Sequence, residues 1–319
     1  MMRTEPADLV LGGQAVIEGV MMKGPELYAV AVRRTSGEIR VKDFPITTSP
    51  ARKRMAKLPL LRGVVTMAAM LVIGYRALQY SADEAMEDAE GEDPGAKAKA
   101  PGEGAKGGTG LAMAGALALA LLLGIGLFFW LPLLLARGIG ILMPALSGVV
   151  AFNLVDGVIR VIVFVGYVLG ISMMKDIRRI FQYHGAEHKV VNAYERKADL
   201  APETVAGYSN LHPRCGTSFL LFVMVISIVV FSFIPHESSL WVKALMRLVL
   251  LPAIAGISYE ALRLSARKTD SSLFRALIAP GLLLQRLTTR EPDLPQIEVA
   301  IASFRRVVPA KDTEASLVG

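Results

Sequence analysis

Residues 111–136 read LAMAGALALALLLGIGLFFWLPLLLA, a run without a single charged side chain. About 17 to 25 apolar residues suffice for a helix to cross the hydrocarbon core of a bilayer. The glycines and Pro132 in this run are of the kind that membrane helices tolerate. The stretch therefore predicts a transmembrane helix, and the composition agrees. The chain has 319 residues, 53% of them hydrophobic, and a mean hydropathy of +0.47, too apolar for an ordinary soluble domain.

Working outward, a second span is expected over 154–174, a third over 218–234 and a fourth over 240–259. The apolar piece 139–152 is too short for a span of its own and either extends the second helix or lies at the outer surface. Between Arg62 and Arg76 the uncharged run is only 13 residues, so residues 58–82 are expected to form an amphipathic helix in the membrane interface. Residues 83–93 are strongly acidic and 94–110 are mostly Gly, Ala and Lys, which marks 83–110 as a flexible linker. Residues 1–57 read as a small β-rich head, with apolar runs such as Ala15–Met22, Tyr28–Arg34 and Glu38–Phe44 punctuated by Gly24-Pro25 and Ser36-Gly37. The expected fold is a mainly α-helical integral membrane protein of about four transmembrane helices, 111–259, with a small N-terminal cytoplasmic β-rich region.

Basic residues orient it. The loop 175–217 has seven Lys or Arg and the tail 260–319 has nine after Glu260, whereas the connections 137–140 and 235–239 hold Arg137 alone. Head, loop and tail are expected in the cytoplasm; Lys243 and Arg247 run against this and would need to snorkel. The net charge of +7 suggests no nucleic-acid partner, since aromatics are 7% and no recognition motif accompanies the basic residues. The first residues lack the apolar core of a cleaved signal peptide. A lone cysteine excludes an internal disulfide.

The loop carries the chemistry. His184-Gly-Ala-Glu187-His188 places two imidazoles on one helix face with a carboxylate beside them, the inverse zincin arrangement. The chain has four histidines, and His212 follows in His-Pro-Arg-Cys with Cys215. His184, His188, His212 and Cys215 are the candidate ligands of a divalent transition metal, zinc by ligand type. If both His212 and Cys215 bind, the site is closed and structural; if one does, a vacancy is left for water and Glu187 is the catalytic base. Glu260 and Glu18 are further candidate ligands. The bland reading makes His184, Glu187 and His188 the polar face of a juxtamembrane helix.

Within the second span Asn153, Asp156, Arg160 and Tyr167 recur at helical spacing. Asp156 and Arg160, four apart, are expected to neutralise each other on an inward face, with Arg247 across from them. Two more polar stretches, 14–23 and 285–292, read as turns with helix termini, or as segments that dock onto the metal region. No phosphate-binding loop or serine nucleophile motif is present.

Four of these stretches in order, 12–23 (GGQAVIEGVMMK), 181–189 (FQYHGAEHK), 212–219 (HPRCGTSF) and 285–292 (QRLTTREP), resemble the YqhQ-like family of bacterial membrane proteins. That family is described as predicted metal-dependent enzymes of unknown substrate. The resemblance implies a bacterial inner-membrane protein with His184, Glu187, His188, His212 and Cys215 in its site. The expected function is that of a zinc hydrolase at the cytoplasmic membrane edge acting on a peptide or lipid-derived substrate. A scaffold with a structural metal, or a small transporter working through Asp156, are the alternatives.

Overall fold

Alternation of apolar residues builds the N-terminal sheet. In this computed structural model, which describes residues 12–91, 108–213, 215–234, 239–267 and 272–308, four strands form an antiparallel meander in the order β1 (Gly12–Val16), β2 (Gly19–Lys23), β3 (Leu27–Arg33) and β4 (Ile39–Pro45). Successive side chains in a strand point to opposite faces. Val20, Met22, Ala29 and Ala31 accordingly enter one core, and Met21, Tyr28, Val30 and Val32 a second one. The stretch 15–22 is two strands. Val16 pairs with Gly19 across a two-residue turn, and Glu18 takes φ 51° there, as tight hairpins require positive φ.

Both faces of the sheet are covered by helices. After the short α1 (Pro50–Met55), helix α2 (Leu61–Gly91) lays Ile73 and Ala77 on the second core. Its acidic end reaches the head: Glu84 pairs with Arg40 at 3.2 Å and Asp88 with Arg34. Of the expected linker 83–110, residues 83–91 thus continue this helix, residues 108–110 begin the next one, and residues 92–107 lie outside the described residues.

The apolar helices follow. α3 (Gly108–Ile125) and α4 (Leu131–Leu142) are joined through a wider turn at Gly126–Trp130, and α5 (Val149–Ser172) begins after a short turn at Pro144–Leu146. The apolar piece 139–152 is divided between these elements. Helix α6 (Lys175–Glu195), the short α7 (Pro202–Ala206), α8 (Gly216–Phe231) and α9 (Leu240–Arg267) come next. Among the described residues, four segments are long and apolar enough to cross a membrane: 61–88, 118–142, 149–172 and 241–264. The count matches the expectation but the membership differs. α2 qualifies by length and composition, while α8, at 16 residues, is short.

The described residues after 260, 261–267 and 272–308, are built into the fold. α10 (Ser272–Thr288) leads to α11 (Leu294–Val307), whose start is fixed by a capping box between Asp293 and Gln296. α11 buries Ile297, Ala300 and Phe304 against α6 and the first face of the sheet. Ser303 accepts from the Met22 N–H at 3.1 Å and donates to the Ala29 carbonyl at 2.9 Å, which ties the C-terminal helix to the middle of the sheet.

Candidate metal site

Helix α6 is packed from three directions, and this fixes its side chains. Tyr183, Ala186 and Val190 face the sheet and α11. On another side Lys189 donates to the carbonyls of Ala206 and Tyr208, both at 2.7 Å, and Asn192 to those of Ser209 and Leu211 at 2.8 and 3.0 Å. These bonds pin the 206–211 segment to the helix. At Gly185 an added Cβ would lie 2.2 Å from the Arg290 carbonyl, so the glycine lets the 288–292 segment lie against α6, where the Arg290 N–H donates to Phe181 O at 2.9 Å.

Those two segments orient the imidazoles. His184 Nδ1 lies 2.8 Å from the Thr288 carbonyl and His188 Nδ1 lies 2.8 Å from the Asn210 carbonyl. A carbonyl can only accept, so each Nδ1 carries a proton and each Nε2 presents its lone pair. Both lone pairs belong to one cluster with the Cys215 sulfur, in which the ligand atoms lie within 4.8 Å of one another. His184 Nε2 is 3.2 Å from Sγ. His188 Nε2 is buried and has no hydrogen-bond partner. Cys215 caps the start of α8 and receives hydrogen-bond contacts from the N–H and hydroxyl of Thr217 at 3.4 and 3.2 Å.

The donor set fits a borderline-soft transition metal: two neutral imidazoles with their second nitrogens held by carbonyls, and one sulfur. Burial of His188 pushes its pKa down, against the effect of the neighbouring Cys215, which keeps the imidazole neutral and able to ligate.

Glu187 is 6% exposed and stands outside the ligand cluster. Its Oε1 accepts from the Gly13 N–H at 2.8 Å, and its Oε2 is buried without a partner. Burial raises its pKa, with His184, the Gly13 N–H and His212 pulling the other way. An added Cβ at Gly13 would lie 2.4 Å from Met21 O and 2.9 Å from Glu187 Cδ. The glycine in β1 therefore makes this contact between sheet and site possible.

His212 is close but turned aside. Its ring lies 5.9 Å from that of His188, and its Nε2 faces the Glu195 carboxylate at 3.1 Å, a contact that places the proton on Nε2. Gln285, with no exposed surface, grips the His212 backbone, accepting from its N–H and donating to its carbonyl, both at 2.9 Å. The other two candidate ligands are elsewhere. Glu260 pairs with Arg62, with Nε at 2.6 Å, and Glu18 pairs with Arg179 and accepts from the Tyr183 hydroxyl at 3.3 Å.

The four sequence stretches 12–23, 181–189, 212–219 and 285–292 thus meet at one place. Residues 58–310 match a family described as a protein of unknown function, DUF1385. The chain belongs to that family. It is also 35% identical over 306 residues to the uncharacterized protein YqhQ of Bacillus subtilis (strain 168), covering 93% of this chain and 92% of that one. No solved structure matches. The DUF1385 match takes in α6, Cys215 and the 285–292 segment, and begins after the strand that brings Gly13 to Glu187.

Sequence reasoning named the candidate ligands and offered 14–23 and 285–292 as stretches that dock onto the metal region; the individual contacts of Gly13, Asn192, Asn210, Gln285 and Thr288 were not foreseen. The available signal was a buried-type polar residue, Gln285, inside an otherwise amphipathic helix, and a polar Lys189 and Asn192 one turn apart beside the histidines.

Proposed function

We propose that the protein is a metal-dependent hydrolase of the bacterial cytoplasmic membrane, with His184, His188 and Cys215 as ligands of a zinc-type ion and Glu187 as the base. The observation that carries this reading is the common orientation of the two histidines: each Nδ1 is held by a carbonyl, which leaves each Nε2 as the ligating atom, and ligand atoms of both histidines lie within 4.8 Å of the Cys215 sulfur. Three protein ligands with His212 engaged by Glu195 is the open arrangement that catalytic sites use. A divalent ion bound there would supply Lewis acidity toward a carbonyl or phosphoryl oxygen.

The residues of the chain provide the rest. Glu187, held by Gly13 at one oxygen, offers the other to a proton, and burial raises its pKa above the ordinary carboxylate value, which makes it a stronger base than an exposed glutamate. Peptide, amide or lipid-derived ester bonds are the substrates in keeping with a site beside apolar helices.

The same reading places 118–142, α5, α8 and α9 across the bilayer with the head, α6 and α11 in the cytoplasm. α2 is then an in-plane bracket. One of its faces is committed to the sheet through Ile73, Ala77 and Glu84, while Leu71, Val72, Tyr75 and Leu78 on the opposite side are exposed, as suits a helix lying in the interface.

The test compares metal-loaded wild type with Glu187→Gln in a screen of amide and ester substrates. The variant should keep its metal and lose hydrolysis by at least about a hundredfold. Equal turnover by both proteins would remove Glu187 from the chemistry and favour a structural metal in a scaffold.

A further inference from the structure

A second polar cluster lies among the apolar helices, far from the histidines. Asp156 and Arg160 are one turn apart on α5, and Lys243 and Arg247 one turn apart on α9. The Asp156 carboxylate takes Arg160 Nη2 at 2.8 Å and the two Nη groups of Arg247 at 3.1 and 3.0 Å. Arg160 gives another donor to Ser227 Oγ on α8 at 3.2 Å. Both guanidinium groups sit 5.0 Å from the centre of the Phe231 ring, and the Lys243 ammonium sits 4.6 Å from that of Phe152. Asp156 and Arg247 are each 1% exposed and Lys243 is 7% exposed.

Among the described residues the charges do not balance. Three cations less one carboxylate leave an excess of two positive charges in apolar surroundings, where an uncompensated charge is costly. Nor do the hydrogen bonds. Arg160 Nε and Arg247 Nε are buried with no acceptor, and Lys243 has no acceptor oxygen among the described residues. Aromatic faces ease the charge but replace only part of the lost solvation. A structural ion pair would need one arginine for one aspartate. The second arginine and the lysine are surplus to that purpose, and their unmet donors call for oxygen acceptors.

We propose that Arg160, Arg247 and Lys243 form a binding site for one phosphate-class oxyanion, set near the end of the helix bundle remote from the histidines. Asp156 is 16 residues before the end of α5, about 24 Å along the helix at 1.5 Å per residue, and α6 with the metal ligands lies beyond that end. Guanidinium forks suit phosphate oxygens, and an ammonium adds a point charge. Asp156 holds the two forks in place and keeps the empty site from carrying three unopposed charges. The phosphate comes either from a lipid headgroup of the adjacent leaflet or from a soluble anion. The inference takes α5, α8 and α9 as membrane spans and is independent of the metal.

The experiment uses the full-length protein in neutral detergent. Native mass spectrometry follows retention of phosphatidylglycerol, with diacylglycerol as the phosphate-free control, and thermal melting follows the effect of inorganic phosphate against chloride at equal ionic strength. Wild type should retain one phosphatidylglycerol and no diacylglycerol if the source is a headgroup, or melt higher in phosphate than in chloride if it is a soluble anion. Lys243→Met should weaken whichever response is seen by about tenfold or more, and Arg247→Lys, which keeps the charge and loses the fork, by a smaller factor. Metal content should be the same in all three proteins, which separates this site from the histidine cluster. Neither response in wild type, or an equal response in wild type and Lys243→Met, overturns the proposal.

Discussion

The two polar clusters of this protein are incomplete in opposite senses. Around His184 and His188 the donors are all spent: both Nδ1–H groups reach carbonyls, and what remains is a set of lone pairs on two nitrogens and a sulfur. Around Arg160 and Arg247 the acceptors are all spent: one carboxylate serves two guanidiniums, and what remains is a set of N–H donors. Buried polar groups are ordinarily satisfied. A buried surplus of acceptors favours a cation and a buried surplus of donors an anion, and this hydrogen-bond bookkeeping supports the two proposed ligand classes.

The comparison breaks most sharply at Asp156. Asp156→Asn leaves two buried guanidiniums without their counter-charge, and removal of one partner of a buried ion pair costs about 3 to 5 kcal/mol. A fall of many degrees in the melting temperature of the detergent-solubilised protein is expected, with metal binding per folded molecule unchanged. A loss of metal with no loss of stability would mean that the clusters are coupled and that the bookkeeping is wrong.

Gly13→Ala strikes the other cluster through its backbone support. The new methyl group would lie 2.4 Å from a β-sheet carbonyl and 2.9 Å from the Glu187 carboxyl, so the strand has to shift. Overpacking of this kind costs about 1 to 3 kcal/mol. Denaturation of the sheet and α6, read by hydrogen exchange at β1 and α6, should show the loss. Unaltered protection at both would place β1 differently from the register described.

Asn192→Ala acts at one remove. It frees the 209–211 carbonyls that present Asn210 to His188, and losses of this type weaken metal binding by about 10- to 100-fold. Titration against a competing chelator measures it, and an unchanged affinity would mean that the loop holds His188 without the asparagine.

The smallest effect is pH-dependent. Because burial raises the Glu187 pKa, folding favours its protonated form, so its burden on stability appears as pH rises above the ordinary carboxylate value of 4.5. Glutamine carries no such burden. Metal-free Glu187→Gln should therefore melt above metal-free wild type at about pH 8, and the gap should close toward about pH 4. A gap that widens in acid would reverse the assigned shift.

Much of this architecture can be read from local pattern. Long apolar runs give helices, and short apolar runs broken by turn residues such as Gly24-Pro25 and Ser36-Gly37 give strands, so the mainly helical body and the small sheet were both visible. The His-x-x-Glu-His spacing works within one helix and needs no tertiary knowledge, which is why His184, Glu187 and His188 stood out. Asp156 with Arg160 did so for the same reason, and Arg247 followed from its place in a facing span.

What could not be read depends on contacts distant in sequence. Gly13 meets Glu187 across 174 positions, and Thr288 meets His184 across 104. No periodicity marks such a pair. The acidic residues 83–91 looked like linker because the ion-pair partners of Asp88 and Glu84, Arg34 and Arg40, lie in the head. The C-terminal segment looked like a tail because the face of α11 that carries Ile297 and Phe304 has meaning only once a sheet is there to receive it.

His184, His188 and Cys215 are proposed to hold one metal ion. Metal content by elemental mass spectrometry, on protein purified without chelator and offered zinc, tests it when wild type is compared with a His184→Ala, His188→Ala double variant and with Cys215→Ser. About one equivalent of a transition metal per wild-type chain, lost in the double variant and strongly reduced in Cys215→Ser, is the expected result. Wild type that takes up no metal, or variants that hold as much as wild type, would contradict it.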